Sequence, residues 1–348
     1  MNKLTRILNR LPPHATFETI TFGCRVNAAE SHQFSQLLID NGLYPCCNNP
    51  NLFIINTCAI TQKGEYESTA KIRHLLDLHP QSLIIATGCA SLKIKHPRLF
   101  VLSNTEKEAL LDALNSSYSP EITDKYTHSH RFLLKIQSGC TANCSYCVVP
   151  TRRSYLKSLP IDKAIITVNK AVENGYKEVI ITGVNLAQYT PGLSNLLEAL
   201  LTQTQIPLIS FGSLPLLCID DKFLFLIKNF KLKIKNFLHI PIQSGSDRIL
   251  KLMSRPYTQK DILFKIKNLK LKIKHLKLGT DIIIGFPSET EDDLQETLNL
   301  CKSLSFTKIH TFRFSPRPGT PAWDLNQKFP VKPSDINSRS RLLRKLVS

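Results

Sequence analysis

Apolar and polar positions alternate in blocks along the first hundred residues. "FETITFG" (17–23), "LFIINT" (52–57) and "SLIIATG" (82–88) are short apolar runs of strand length. Patterns of helical period follow the first two, at 27–42, closed by Gly42, and at 65–79. Continuous apolar strands alternating with helices predict a parallel sheet covered on both faces. The stretch 104–130 begins helically, turns polar and reads as a linker. The alternation then restarts, with strands predicted at 131–137, 178–185, 208–213, 237–243, 280–286 and 308–314. Helices are predicted between them, including 162–175 and 288–304, the latter opened by a capping box of Ser288 and Glu291. Six β/α units suggest a partial TIM-like (β/α)6 barrel, whose active residues belong at the C-terminal strand ends. The expected class is therefore α/β, with an N-terminal open parallel α/β domain over 1–125. A barrel domain over 126–325 and a basic C-terminal helix or tail over 326–348 complete it.

Composition adds partners and compartment. No run of eighteen uncharged apolar residues exists, so no membrane span is expected. "MNKLTRILNRLPPH" lacks a continuous apolar stretch and reads as a short leader rather than a signal peptide. The ten cysteines should then be reduced thiols in a cytoplasmic protein, which favours metal ligation over disulfides. A formal charge of +18 favours an anionic polymer as partner, nucleic acid or a membrane surface. The bland source of that charge is a Lys, Ile, Leu, Phe and Asn bias in segments such as 228–237 and 265–277.

Cysteine placement is more specific. Cys24, Cys58 and Cys89 each follow one of the first three predicted strands, and in a parallel sheet those ends share one edge. One such cysteine would be an ordinary small buried hydrophobe; three at equivalent places read as a three-thiolate site. Cys140, Cys144 and Cys147 form C-x3-C-x2-C just past the first barrel strand, with Tyr146 directly before the last. Structural zinc needs a fourth donor, for which His128 or His130 lies nearby. Iron–sulfur clusters take cysteine thiolates, and a [4Fe–4S] cube on three of them keeps one iron free of protein ligands. Cys46, Cys47, Cys218 and Cys301 have no motif around them.

C-x3-C-x2-C with an aromatic before its last cysteine resembles the signature of the radical S-adenosylmethionine superfamily. Further segments narrow this: "TFGCRVNAAES" (21–31), "NTCAIT" (56–61), "TGCAS" (87–91), "PIQSGSDRILKLMSRPYT" (241–258), "TDIIIGFPSETEDD" (280–293) and "FSPRPGTPA" (314–322). In this order they resemble the methylthiotransferases, over about residues 17–323. The first two are most similar to the branch acting on N6-threonylcarbamoyladenosine in tRNA. The isopentenyladenosine branch typically has Met and Asp in the first motif, and the ribosomal-protein branch is a third possibility. A non-catalytic iron–sulfur protein that binds nucleic acid is the competing class.

The resemblance implies two [4Fe–4S] clusters, one on Cys140, Cys144 and Cys147 and an auxiliary one on Cys24, Cys58 and Cys89. It implies S-adenosylmethionine bound near Tyr146, Gly183, Gln243, Ser244, Ser246 and Gly285. It also implies a tRNA anticodon loop as substrate and a one-electron donor such as flavodoxin or ferredoxin, with the sulfur donor unspecified. Without it, Gly183 would mark a turn, Ser246 or Asp247 a helix N-cap, and Gly285 a glycine in a buried strand. Arg152 and Arg153 are candidate substrate contacts, or simply a solvated basic pair, and Arg317 is a weaker candidate. Three departures from the family stand out. Leu214 and Pro215 occupy the place of an acidic residue, and Arg153 that of a glycine. The chain stops in "SRSRLLRKLVS", so the family's C-terminal β-rich RNA-binding domain is expected to be absent.

Overall fold

A computed structural model describes residues 3–114 and 130–347. The chain forms two compact units, Met1–Pro120 with Thr151–Arg153, and Glu121–Pro150 with Ser154–Ser348. The later part of the anticipated linker, including His128, lies outside the described residues; its start is the helix Asn104–Leu114.

In the first unit β1 (Thr16–Thr21), β2 (Tyr44–Pro45), β3 (Leu52–Thr57), β4 (Leu83–Gly88) and β5 (Leu99–Val101) form one parallel sheet, ordered β2-β1-β3-β4-β5. Alternate residues of β3 and β4 serve opposite faces. Leu52, Ile54, Leu83 and Ile85 meet Phe34 and Leu38 of the helix Arg25–Asp40, while Phe53, Ile55, Ile84 and Ala86 meet Ile72 and Leu75 of the helix Gln62–Leu78. Two-sided burial explains why these strands read as unbroken apolar runs. The supposed leader is instead a helix, Lys3–Leu8, because Leu4 and Ile7 bury themselves in the first of these cores. The strand order places a topological switch between β1 and β3, the point where open α/β sheets bind ligands. Cys24 follows β1 and Cys58 follows β3, directly at that point, and Cys89 follows the neighbouring β4.

The second unit contains β6 (Arg131–Ser138), β7 (Lys157–Ser158), β8 (Glu178–Gly183), β9 (Leu208–Phe211), β10 (Phe237–His239), β11 (Lys277–Ile284) and β12 (Lys308–Arg313). All six predicted barrel strands are present and parallel, while the short β7 runs antiparallel to β6. Between β9 and β10 the ladder gives way to a single bridge, Ile209 to Ile234, and a hydrogen bond from Leu214 N–H to His239 O at 2.8 Å. The result is the expected partial barrel. The capping box of the helix Glu291–Leu304 falls on Thr290 and Asp293, not Ser288 and Glu291. Ser288 sits at a φ of 66° and cannot begin that helix. The basic C-terminal segment forms the helix Pro333–Arg344, which is tied back through Arg339 Nη1 to the buried Glu289 at 2.9 Å.

Candidate metal centres and cofactor pocket

A β-bulge at Lys135–Gln137 re-aims the end of β6 just before the cysteine loop. Gln137 is buried there; its Nε2 donates to the carbonyls of Ser138 and Gly139, and its Oε1 accepts from Asn185 N–H at 2.8 Å. Gly139 adopts a φ of 82°, and a Cβ on it would overlap the carbonyl of Tyr155. The loop is anchored further along: Ser145 Oγ donates to Leu252 O at 2.7 Å, and Thr141 exchanges hydrogen bonds with Gln188.

Cys140, Cys144 and Cys147 therefore share one cavity of about 450 Å³, a usual size for a small-molecule site. Tyr146, Gly183 and Gln243 also line it. Gln243 is held at a φ of 69°, a strained value for a non-glycine residue and one that collects at functional sites. Asn185 Nδ2 donates to Cys140 Sγ at 3.7 Å, and Arg255 Nη1 to Cys144 Sγ at 3.2 Å. Arg255 is fixed in turn by Tyr257, whose hydroxyl accepts from its Nε at 2.8 Å and whose ring lies 4.9 Å below the guanidinium. Burial pushes the Cys147 thiol up to about 11, with Cys144 and Cys140 adding to the effect against the Val149 backbone. A buried thiol whose ionisation is disfavoured in the free protein fits a site where Cys147 loses its proton together with the arrival of a cation. The Tyr146 ring packs with Ile249, Met253, Ile283 and Phe286, giving one wall an apolar, aromatic character. Pro215, Leu216 and Leu217 line another part, at the place where an acidic residue was missed.

Several anticipated residues lie elsewhere. Ser244 is buried with its hydroxyl 3.4 Å from Thr297 Oγ1, and Ser246 Oγ donates to Asp293 Oδ1 at 2.7 Å. Ser246 occupies an N-cap position without using its side chain to cap the helix. A Cβ on Gly285 would run into Ile336, so this glycine permits packing of the C-terminal helix. Arg317 is buried, and its carbonyl accepts from Thr320 in the turn before the helix Pro321–Lys328. None of these four lines the cavity. On the β10–β12 ladder, His239 Nε2 and His310 Nδ1 approach the same Oδ1 of Asp281 at 2.8 and 3.2 Å. Hydrogen bonding alone accounts for that cluster.

In the first unit, Gly23 at a φ of 89° brings the β1 end against Cys58, whose Sγ would lie 2.6 Å from a Cβ at that position. Asn27 crosslinks the two strand ends, donating to both Phe22 O and Thr57 O at 2.9 Å. The Cys58 N–H donates to Ser68 Oγ, and Thr57 Oγ1 accepts from Ala90 N–H beside Cys89. Arg153 is a correction to the expectation of a solvated or substrate-facing residue. It is 2% exposed, with Nη1 2.6 Å and Nη2 2.8 Å from the Glu30 carboxylate oxygens, Nη2 3.0 Å from Asn27 Oδ1 and Nε 3.3 Å from Cys89 Sγ. Lys107 Nζ reaches the same carboxylate at 2.5 Å. Burial opposes the charge on Arg153, yet Glu30 and then Cys89 outweigh it and hold its pKa well above the ordinary value. Arg152 contributes its carbonyl, which accepts from Asn104 Nδ2 at 3.0 Å. Glu30 carried a signal in the sequence, since it falls four residues from both Val26 and Phe34 in the buried stripe of its helix. A charge there demands a buried partner. Asn27, Lys107, Gln137, Asn185 and Arg255 carried none that pattern alone could raise.

A partial parallel barrel with three cysteines at the end of its first strand defines the radical S-adenosylmethionine class, and residues 134–301 match the Radical SAM superfamily. Residues 16–106 match the uncharacterized protein family UPF0004. Threonylcarbamoyladenosine tRNA methylthiotransferase MtaB of Aquifex aeolicus is 32% identical over 95% of this chain and 87% of its own length. MtaB of Thermotoga maritima is 33% identical over 87% and 75%. A tRNA-2-methylthio-N(6)-dimethylallyladenosine synthase of Thermodesulfovibrio yellowstonii is 32% identical over 88% and 77%. The chain belongs to the radical S-adenosylmethionine methylthiotransferase family. Among solved structures, the radical S-adenosylmethionine methyltransferase TsrM of Kitasatospora setae has a TM-score of 0.65 at 11% identity, covering 90% of this chain and 74% of that one. That likeness concerns the fold. Membership implies S-adenosylmethionine and a [4Fe–4S] cluster, and the cavity at Cys140–Cys147 suits both. Among the described residues no helix is long and apolar enough to cross a membrane.

Proposed function

We propose that the enzyme adds a methylthio group to C2 of N6-threonylcarbamoyladenosine next to the tRNA anticodon. What supports this is a pair of cysteine trios, one lining the cavity at the end of β6 and the other following β1, β3 and β4 of the first sheet. The choice of base rests on the first motif, "GCRVNAAES", which lacks the Met and Asp typical of the isopentenyladenosine branch, and on the MtaB relatives.

S-adenosylmethionine, with a [4Fe–4S] cluster on Cys140, Cys144 and Cys147, supplies hydrogen-atom abstraction and the methyl group. The chain's own residues position and shield. Arg255 and Asn185 fix two of the sulfurs, and Tyr146, backed by the buried Ile283 and Phe286, presents an aromatic wall. Pro215 to Leu217 add an apolar part to the lining, which would limit side reactions of a cofactor bound there. Cys24, Cys58 and Cys89 would hold the auxiliary [4Fe–4S] cluster at which sulfur is carried. The net charge of +18 supplies sequence-independent attraction for tRNA phosphates, and an anticodon-loop base is reachable without melting a helix. A small protein such as flavodoxin or ferredoxin would deliver the electron.

Mass spectrometry of tRNA nucleosides tests the proposal. A deletion strain should lose 2-methylthio-N6-threonylcarbamoyladenosine and regain it with this chain. Persistence of that nucleoside, with no second enzyme present, overturns it. Loss of the dimethylallyl derivative instead would assign the enzyme to the branch of the Thermodesulfovibrio relative.

A further inference from the structure

We propose that Arg153 is a positioning residue of the Cys24, Cys58 and Cys89 site. It donates its Nε–H to the Cys89 sulfur and thereby raises the reduction potential of the cluster held there. This inference rests on the auxiliary-cluster reading above.

The geometry leaves the guanidinium little choice. Both terminal nitrogens are engaged, Nη1 with Glu30 and Nη2 with Glu30 and Asn27, at 2.6 to 3.0 Å. With that edge fixed, Nε–H points at Cys89 Sγ from 3.3 Å. Asn27 Oδ1, which accepts from Nη2 at 3.0 Å, helps to fix that edge of the guanidinium. An arginine retained only for its carboxylate would aim its donors at oxygen.

Charge points the same way. Arg153 and Lys107 both pair with the Glu30 carboxylate, and all three side chains are at most 2% exposed. Buried ionic triads are weak stabilisers compared with apolar residues of equal volume, so stability alone does not account for this one. A guanidinium in contact with the Cys89 sulfur favours the more negative, reduced state of a cluster held there. Hydrogen bonds to cluster sulfurs act in the same direction. The residue is delivered by an excursion of the chain: Thr151–Arg153 belong to the first unit, although Pro150 before them and Ser154 after them belong to the second.

The test uses full-length protein in which Cys140, Cys144 and Cys147 are changed to Ala, so that iron reports the auxiliary site alone. This parent should hold about four irons; a parent without iron overturns both the auxiliary-cluster reading and this inference. EPR-monitored redox titration then compares it with Arg153→Lys and Arg153→Gln. Lysine keeps the Glu30 pair but loses the planar Nε donor, and should lower the potential. Glutamine should lower it further, by a roughly tenfold change in the reduction equilibrium, about 59 mV for one electron. Loss of iron from a variant with intact far-UV circular dichroism also supports the proposal, because Cys89 is then no longer positioned. Unchanged potentials with full iron in both variants overturn it. Should Arg153→Gln fail to fold, the lysine variant and a measurement on unmutated Arg153 decide. In protein labelled with nitrogen-15 arginine, pulsed EPR should show a nitrogen coupling to the reduced auxiliary cluster, and its absence overturns the proposal.

Discussion

Cys140, Cys144 and Cys147 come from one loop, whereas Cys24, Cys58 and Cys89 come from three strand ends spread over positions 24 to 89. The loop site is held by local turns and by neutral donors such as Gln137, Ser145 and Gln188. The strand-end site depends on the sheet for its geometry and on a buried ionic triad for its electrostatics. Each has one arginine bonded to a cysteine sulfur. Arg255 leans on Tyr257 and has no carboxylate partner among the described residues, while Arg153 is locked to Glu30. A site built from one loop can tolerate change in the surrounding fold; one assembled from distant segments makes cluster binding and folding interdependent.

The largest effects should come from removing the cysteines as sets. Replacing Cys140, Cys144 and Cys147 with Ala should take iron from about eight to about four atoms per chain and abolish cofactor cleavage to 5′-deoxyadenosine. The same change at Cys24, Cys58 and Cys89 should also halve the iron and stop methylthiolation, yet leave cofactor cleavage intact. Loss of cleavage in the second set would break the division of labour. A step smaller, Glu30→Gln leaves Arg153 and Lys107 buried without their carboxylate and should cost about 3–5 kcal/mol of stability. Arg255→Gln removes a donor that has no ionic partner and should cost only about 1–2 kcal/mol. Chemical denaturation of both variants checks the contrast, and equal losses would remove it.

A pH-dependent effect comes from Asp293, in the first turn of the helix Glu291–Leu304. Burial opposes ionisation of Asp293, but hydrogen bonds from Arg248, Ser246 and Thr290 prevail and hold its carboxyl well below the usual carboxylate range. A depressed folded value contributes stability above the unfolded value near about 4 and loses it as pH falls below. Asp293→Asn should therefore destabilise by about 1–3 kcal/mol at neutral pH. Arg248 is half exposed, which keeps its share small. The gap in Tm from wild type should close below about pH 4; a gap independent of pH would assign the effect to the capping box alone.

Much of the fold was legible because its strands are buried on both faces. LFIINT over 52–57 became β3 without adjustment, and all six barrel strands formed where the apolar runs stood. Short edge strands were not legible: β2 is two residues long, and β5 follows a polar turn. Of the residues that the family resemblance implied, Tyr146, Gly183 and Gln243 line the cavity, whereas Ser244, Ser246, Gly285 and Arg317 make their contacts elsewhere. Hydroxyls and glycines fit many local roles, so spacing says little about which partner they reach.

The sequence by itself determined the two cysteine sets, the parallel α/β class and the family, since each is written in residue spacing, apolar run length or an ordered series of motifs. Tertiary structure alone decided the strand order that puts Cys24 and Cys58 at a switch point. It alone turned Arg153 from an apparent solvated residue into a buried partner of Glu30 and Cys89. The physical reason is range: periodicity and spacing report a residue's neighbours along the chain. A charge buried 123 positions from its carboxylate is fixed only when the sheet brings the two together.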